Sequence, residues 1–340
     1  MAVVQYHQWA SMIMVDVIGV IGFNRELRAL ETGSHELSQV LGRVRDLGFI
    51  TMVFPWIKCL PRFIAQRTGT LNRLVAYGRE AIESHRQTPL PNEINLLQTL
   101  GSSRMTDPQI ISETILHLVA GVDTTAAGIT WTLALLIHNP QVLRRLVAEI
   151  RSEFPPDSDS PHISYEGCCL RLPYLAAVIA ESMRVLPPVP NITPRLAPPG
   201  GVRLGGYLIP AGTWICPAID SIHRNPAHFP KPDSFNPDRF LAPGPEQQCL
   251  VAFSAGVRAC IGRNLALLVM NLVLANLLRN YDLQAPGSAK PESNPTATVD
   301  LDDKATTGSV PDIPRRTQAT TTPTNPDRDC LVLVSLPAQA

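Results

Sequence analysis

The sequence of 340 residues lacks an excess of either charge, because 29 lysines and arginines balance 29 aspartates and glutamates. A net charge of zero argues against a nucleic-acid-binding protein and against attraction of the whole protein to anionic lipid. Hydrophobic residues make up 45% of the chain, which excludes wholesale disorder and allows one large domain or two smaller ones.

Paired cysteine motifs are also missing. The seven cysteines include no CxxC pair, which argues against a zinc knuckle and against a thioredoxin-like redox site. An odd number of thiols without a disulfide framework suits a reducing, intracellular compartment. Most of these cysteines are predicted to be structural thiols, and only Cys260 lies in a context that indicates chemistry.

No apolar run predicts a membrane span, which needs about 20 apolar residues. Residues 11–23 are apolar but too short, and they contain Asp16. Residues 110–137 are longer but carry several ionisable side chains, so they are predicted to form a core helix. We therefore expect no membrane anchor in this sequence.

Apolar residues at helical spacing predict a largely helical chain with a proline-rich middle. The predicted helices cover residues 3–21, 34–47, 70–87, 108–138, 141–153, 173–186 and 263–281. Short apolar runs bounded by glycine and proline predict small strands at 202–204, 207–209 and 330–336. The predicted fold class is mainly α with small β-sheets (α+β).

One segment of the chain has the composition of a loop. Residues 284–328 are rich in Pro, Thr, Ser and Asp and contain few large apolar side chains. Such a segment buries too little surface to offset the entropy lost on ordering. A disordered insertion is therefore predicted here.

The strongest chemical signal is the segment FSAGVRACIG, residues 253–262, which directly precedes a predicted helix. A thiolate at Cys260 would be stabilised by the unpaired amides of the helix N-terminus. The glycines would let the backbone pass close to a flat ligand, the arginine would meet a carboxylate, and the aromatic ring would pack near the sulfur. These are the requirements of a thiolate-bound haem iron. The candidate haem-binding residues are Phe253, Gly256, Arg258, Cys260 and Gly262.

With these residues the sequence resembles the cytochrome P-450 family of haem-thiolate monooxygenases. The pattern Phe-x-x-Gly-x-Arg-x-Cys-x-Gly, followed by Ala266, matches the family signature at every position. The resemblance implies haem b (iron protoporphyrin IX) as the cofactor, Cys260 as the axial ligand of the iron and Arg258 as the partner of a haem propionate. It also implies one cytochrome P-450 domain over residues 1–340.

A second family motif lies in the middle of the long predicted helix. It is the segment AGVDTT at residues 120–125. A glycine followed by an acid and an alcohol would open the helix and relay protons, since hydroxyl side chains compete for backbone carbonyls. In the family this groove receives dioxygen, and the resemblance implies catalytic roles for Asp123 and Thr124.

Two further motifs imply contacts on the haem side of the fold. Glu181 and Arg184 are three residues apart on one helix face and can pair, and Arg239 in the segment FNPDRF would join them in a buried network. An isolated pair of this spacing would instead be a solvated surface pair of little energy. A weaker match at Thr193-Pro194-Arg195 implies that Arg195 contacts the second propionate.

The sequence departs from the family at its start. No Trp-x-x-x-Arg pair, which grips a propionate in family members, occurs in the 340 residues. The resemblance therefore implies a cytochrome P-450 fold that lacks its N-terminal helices, including a membrane anchor and part of the substrate ceiling. Such a chain is expected to aggregate and to bind haem substoichiometrically.

The resemblance implies that the protein inserts one atom of dioxygen into an apolar small molecule, most like the fungal members that act on secondary metabolites. Electrons would come from NADPH through a separate NADPH–cytochrome reductase, with cytochrome b5 as a second donor, because no GxGxxG motif and no flavin domain are present. The family is expected at the cytosolic face of the endoplasmic reticulum.

Two alternatives stay open. The chain could be a truncated, non-catalytic remnant that binds haem poorly or not at all. It could also be a haem-thiolate isomerase or dehydratase that never activates dioxygen, although the presence of Asp123 and Thr124 argues against that function.

Overall fold

The computed structural model describes residues 1–23, 25–33, 36–37, 40–44, 50, 54–87, 96–156, 160–191, 194–286, 308–317 and 320–337. The helices are α1 (Tyr6–Phe23), α2 (Ala29–Thr32), α3 (Pro61–Gln87), α4 (Leu96–Gly101), α5 (Asp107–His138), α6 (Pro140–Glu153), α7 (Tyr165–Arg171), α8 (Pro173–Val185), α9 (Ile219–His223), α10 (Pro245–Cys249), α11 (Arg263–Asn280) and α12 (Pro326–Asp329). Short 3-10 helices cover Pro55–Cys59, Pro237–Phe240 and Gly256–Arg258.

The strands are short and form small sheets. They are β1 (Ala2–Gln5), β2 (Arg195–Leu196), β3 (Val202–Leu204), β4 (Tyr207–Ile209), β5 (Trp214–Ile215), β6 (Ser234–Phe235), β7 (Asp282–Gln284), β8 (Gly308–Ser309), β9 (Arg315–Thr317), β10 (Thr321–Pro323) and β11 (Leu331–Ser335). The antiparallel pairs are β3 with β4, β2 with β5, β6 with β8, β9 with β10, and β7 with β11. Strand β11 also neighbours β1, which makes a three-stranded sheet.

The chain divides into two compact units. The first unit contains residues 1–3, 131–313 and 332–340, and the second contains residues 4–130 and 314–331. The predicted cysteine loop and the Glu181–Arg184 pair belong to the first unit, and the AGVDTT segment belongs to the second.

The core of the first unit is built around α11, which packs against α6, α7 and α8. The buried face of α6 carries Val142, Leu146 and Ile150, which are four residues apart and completely shielded from solvent. This spacing places them on one stripe of the helix. Each of these side chains contributes roughly 1.5–3 kcal/mol by leaving water, so this packing holds the α8 and α11 scaffold of the first unit.

In the second unit α1 packs against α2, α3 and α4. Asp16, the charged residue within the apolar run 11–23, accepts hydrogen bonds from the amides of Ala29 and Leu30 at 2.7 and 3.0 Å. The carboxylate thereby satisfies two amides at the start of α2 that have no partner within that helix. The Asp16 carboxylate thus links α1 to α2.

The prediction of a mainly α fold with small sheets is confirmed, and α5, α6, α8 and α11 begin and end within one residue of the predicted positions. The helix predicted at 70–87 begins earlier, at Pro61, because proline is compatible with the first turn of a helix. The helix predicted at 34–47 lies partly outside the described residues.

The end of α3 and the start of α5 are linked by an ion pair. Asp107 is the first residue of α5, and its Oδ1 lies 2.7 Å from Arg86 Nη2.

In the described part of the chain, α5 is the one helix that is long and apolar enough to cross a membrane. In its most apolar window, 78% of the helix is buried inside the protein. This burial agrees with the prediction of a core helix.

Part of the predicted disordered insertion has regular structure. Residues 287–307, 318 and 319 lie outside the described residues, but the described remainder of the segment contains β8, β9, β10 and the start of α12. The buried side chain of Asn139 binds β8, since its Oδ1 accepts from the Ser309 amide at 2.7 Å and its Nδ2 donates to the Ser309 carbonyl at 2.8 Å. For β8, a buried amide thus supplies hydrogen-bond partners that the composition of the segment does not indicate.

Replacing Asn139 with alanine should loosen β8. The variant loses the two hydrogen bonds to Ser309 and the one that Nδ2 donates to the Leu135 carbonyl at 2.7 Å. Together with the backbone groups left without this partner, these losses should lower the free energy of unfolding by roughly 1–3 kcal/mol. Faster hydrogen exchange at the Ser309 amide would report the loss. Ser309→Ala is the matched control, because both hydrogen bonds between Asn139 and Ser309 involve the Ser309 backbone. Unchanged exchange in the Asn139 variant would show that β6 alone holds β8.

Candidate active site

The predicted cysteine loop ends at the N-terminus of α11. Gly262 is the N-cap of this helix, and the Cys260 side chain is exposed. The Cys260 amide donates to the Phe253 carbonyl at 2.9 Å, which closes residues 253–260 into a compact loop. The sulfur therefore lies beside the helix end whose unpaired amides favour negative charge.

Two residues of this loop adopt left-handed backbone conformations, Ser254 with φ 62° and Gly256 with φ 70°. Glycine adopts this region without steric cost. A serine there costs on the order of 1–3 kcal/mol and persists only where its surroundings fix it. The sequence pattern indicated Gly256, but nothing in it indicated strain at Ser254.

The surface around Cys260 fits the proposed haem. Val257 and Ile261 are large apolar side chains that are 101% and 87% exposed, and Arg258 is exposed between them. A thiol, an apolar surface and a cation within five residues suit an apolar disc that carries an iron and carboxylates. Among the described residues, no cluster of three or more His, Cys, Asp or Glu side chains offers a second metal site.

Arg195, the second candidate for a propionate, lies in β2 opposite Ile215. Its side chain is half-buried, and its Nη1 donates to the Pro194 carbonyl at 3.3 Å. Thr193 of the same motif lies outside the described residues. The contact between Arg195 and a propionate stays a prediction.

The structure brings Glu181 and Arg184 together in a completely buried ion pair. Arg184 Nε and Nη2 donate to the two Glu181 carboxylate oxygens at 2.7 and 2.9 Å. The same guanidinium also donates to the carbonyls of His223, Pro232 and Ser234 at 2.8–2.9 Å. Each charged atom thus has a partner, which is the condition under which a buried pair can be tolerated.

Arg239 also contacts this pair. Its Nε donates to Glu181 Oε1 at 3.3 Å, and its Nη2 donates to the Lys231 carbonyl at 2.9 Å. The same Glu181 oxygen accepts from the Asn236 amide at 2.8 Å. The network therefore ties α8 to the segment 231–239.

His223 is a buried residue that the sequence did not single out. Its Nδ1 lies 3.1 Å from the Arg184 carbonyl, and its Nε2 lies 3.0 Å from the Val251 amide nitrogen. Burial lowers the pKa of His223 to about 4, so the ring is neutral at pH 7. Its only sequence signal was a histidine beside an arginine, and a lone histidine carries little information.

Asp123 and Thr124 lie in α5, within the second unit. The Thr124 hydroxyl donates to the Ala120 carbonyl at 2.7 Å. The helix nevertheless runs from Asp107 to His138 without interruption, so the predicted opening at the glycine is not seen. Packing explains the glycine at position 121 instead, because a Cβ there would lie 2.9 Å from Ile18 Cδ1.

Comparisons with known proteins agree with these features. The family model described as Cytochrome P-450 matches residues 2–305. Cytochrome P-450 monooxygenase helB3 of Aspergillus fumigatus is 31% identical over 98% of this chain and 66% of its own length. Cytochrome P-450 monooxygenase macH of Penicillium terrestre is 41% identical over 83% of this chain and 60% of its own length. The chain therefore spans less than two thirds of either relative.

A solved structure supports the fold. The crystal structure of the cytochrome P-450DA heme domain superposes with a TM-score of 0.79, covering 99% of this chain and 69% of that one. The sequence identity is 22%, so the likeness concerns the fold alone.

Proposed function

The chain belongs to the cytochrome P-450 family, and on this premise we propose that it is a haem-thiolate monooxygenase that inserts one atom of dioxygen into an apolar small molecule. The observation that carries the proposal is the exposed Cys260 thiol at the N-terminus of α11, flanked by the exposed Val257 and Ile261 side chains.

Each residue of the site has a role in this proposal. Cys260 would bind the iron as a thiolate, stabilised by the helix amides, and the exposed apolar side chains would cover one face of the ring. Arg258 and Arg195 would bind the carboxylates. When bound, a thiolate-ligated haem supplies the electron density that favours cleavage of the O–O bond.

The substrate class and the electron supply belong to the same proposal. Both relatives named above are monooxygenases of fungi, Aspergillus and Penicillium. This origin supports a fungal metabolite as the substrate, and we propose an apolar secondary metabolite. Electrons would come from NADPH through a separate NADPH–cytochrome reductase, with cytochrome b5 as a second donor. The protein would act at the cytosolic face of the endoplasmic reticulum.

The direct test is the absorption spectrum of the purified protein, reduced and exposed to carbon monoxide. The red-shifted band of a thiolate-ligated haem is the expected result. A protein that takes up no haem would contradict the proposal and would favour the alternative of a non-catalytic chain.

Thr124 and Asp123 are proposed to hold and deliver protons for the reaction. Thr124→Ala should still bind haem and consume NADPH with a reductase present. Less of that NADPH should appear as oxygenated product and more as hydrogen peroxide, because an ordered hydroxyl that can pass on a proton is lost. Asp123→Asn should slow turnover for the same reason. The measurement is the ratio of product to NADPH consumed.

Thr124→Ser is the matched control, since it keeps the hydroxyl that bonds the Ala120 carbonyl. It should restore most of the coupling between NADPH consumption and product. Equal coupling in the alanine, serine and parent proteins would remove Thr124 from the proton pathway.

A further inference from the structure

We infer that His223 positions the Cys260 loop by accepting the Val251 amide hydrogen at its Nε2 atom. The inference rests on the proposed role of Cys260 as a haem ligand. It makes His223 a positioning residue, because its effect reaches the thiolate through the backbone of residues 251–260.

One side of the His223 ring is fixed by the buried ion pair. Its Nδ1 lies 3.1 Å from the Arg184 carbonyl, and its own carbonyl accepts from Arg184 Nη1 at 2.9 Å. Arg184 is in turn held by both oxygens of Glu181, and all three side chains are buried. The ring also makes an edge contact with Phe229, at 6.0 Å between centroids. The imidazole therefore has little freedom to rotate.

The other side of the ring binds the start of the cysteine loop. Nε2 accepts from the Val251 amide at 3.0 Å. The Val251 carbonyl accepts from the Ser254 amide at 2.8 Å, and the Phe253 carbonyl accepts from the Cys260 amide at 2.9 Å. A short series of hydrogen bonds thus leads from the buried pair to the residue that carries the sulfur.

The backbone hydrogen bonds fix the proton positions on the ring. The Arg184 carbonyl can only accept, so Nδ1 carries the hydrogen, and the Val251 amide can only donate, so Nε2 is free of one. The neutral ring with the proton on Nδ1 satisfies both neighbours at once. No aliphatic side chain of similar volume could do so.

The turn that follows Val251 needs such an anchor. Ser254 has φ 62°, a conformation that a non-glycine residue keeps only where its surroundings fix it. The hydrogen bond to His223 holds the N-terminal side of this turn, and the Cys260 amide holds the C-terminal side through Phe253. Loss of the His223 bond should let the turn relax and move the sulfur.

Two substitutions separate this role from simple filling of space. His223→Asn places a polar group at the position of Nδ1 and has nothing at the position of Nε2. His223→Gln places its terminal amide at the position of Nε2, where its oxygen can accept from the Val251 amide. The exposed His228, five residues further on, takes the same two substitutions as the control pair.

The experiment compares the four purified variants in two measurements. The first is the share of haem whose carbon monoxide band is not red-shifted, which reports loss of thiolate ligation. Losing one hydrogen bond should raise this share about fivefold in His223→Asn, whereas His223→Gln and both His228 variants should resemble the parent protein. Equal shares in His223→Asn and His223→Gln would overturn the inference.

The second measurement is hydrogen exchange at the Val251 amide, which requires no haem. Exchange should be about fivefold faster in His223→Asn and near the parent rate in His223→Gln. If the parent protein shows no red-shifted band, the proposed function fails, and the exchange rates still test whether His223 holds the loop. Equal Val251 exchange in all variants would contradict the positioning role even where the parent band is normal.

Discussion

Cys260→Ala should abolish the red-shifted carbon monoxide band and reduce monooxygenase activity to background. The alanine keeps the loop, whose backbone bond from residue 260 to Phe253 does not involve the side chain, but it removes the one exposed sulfur at the N-terminus of α11. Without a thiolate the iron lacks the ligand that favours O–O cleavage. The effect is therefore a complete loss.

Two other cysteines provide controls for this result. Cys249 is half-buried near the end of α10, and Cys168 is buried. Burial raises the pKa of the Cys168 thiol to about 11, so it stays protonated and is a poor ligand. Cys249→Ala and Cys168→Ala should keep the band. Loss of the band in either control, with retention in Cys260→Ala, would show that the ligand is assigned to the wrong residue.

Glu181→Gln should destabilise the protein strongly although it is a conservative substitution. The glutamine has nearly the same shape, but it leaves the guanidinium of Arg184, which is fully buried, without a counter-charge, and it weakens the bond to Arg239. Breaking a buried pair by removing one partner costs roughly 3–5 kcal/mol. Urea denaturation of the purified protein measures this loss as a lower unfolding midpoint.

The surface pair Arg171–Glu153 is the matched control for that experiment. Arg171 Nε lies 2.8 Å from Glu153 Oε2, about as close as in the buried pair. However, the Arg171 side chain is 51% exposed and the Glu153 side chain 39%. Exposed pairs contribute about 0–1 kcal/mol, so Glu153→Gln should hardly change the midpoint. Similar midpoints for Glu181→Gln and Glu153→Gln would mean that the buried network adds no stability.

Features that depend on neighbouring residues were determined by the sequence. The hairpin of β3 and β4 occupies the predicted positions, and Gly262 caps α11 where the cysteine loop was predicted to meet a helix. The loop itself closes by a hydrogen bond between residues only seven apart, Phe253 and Cys260. Turn glycines, helix caps and helical spacing act over a few residues, so they can be read directly from the chain.

Features that depend on desolvation were decided by the tertiary structure. The Arg184 guanidinium binds carbonyls as many as 50 residues away, His223 binds the amide of Val251, and Asn139 binds β8 across 170 residues. From the sequence alone, Arg184 could belong to a weak surface pair, and His223 could be an ordinary core histidine. The strand that Asn139 binds lies in a segment whose composition predicts disorder. Burial decides each case, because a polar group removed from water must find a partner wherever the fold brings one within reach.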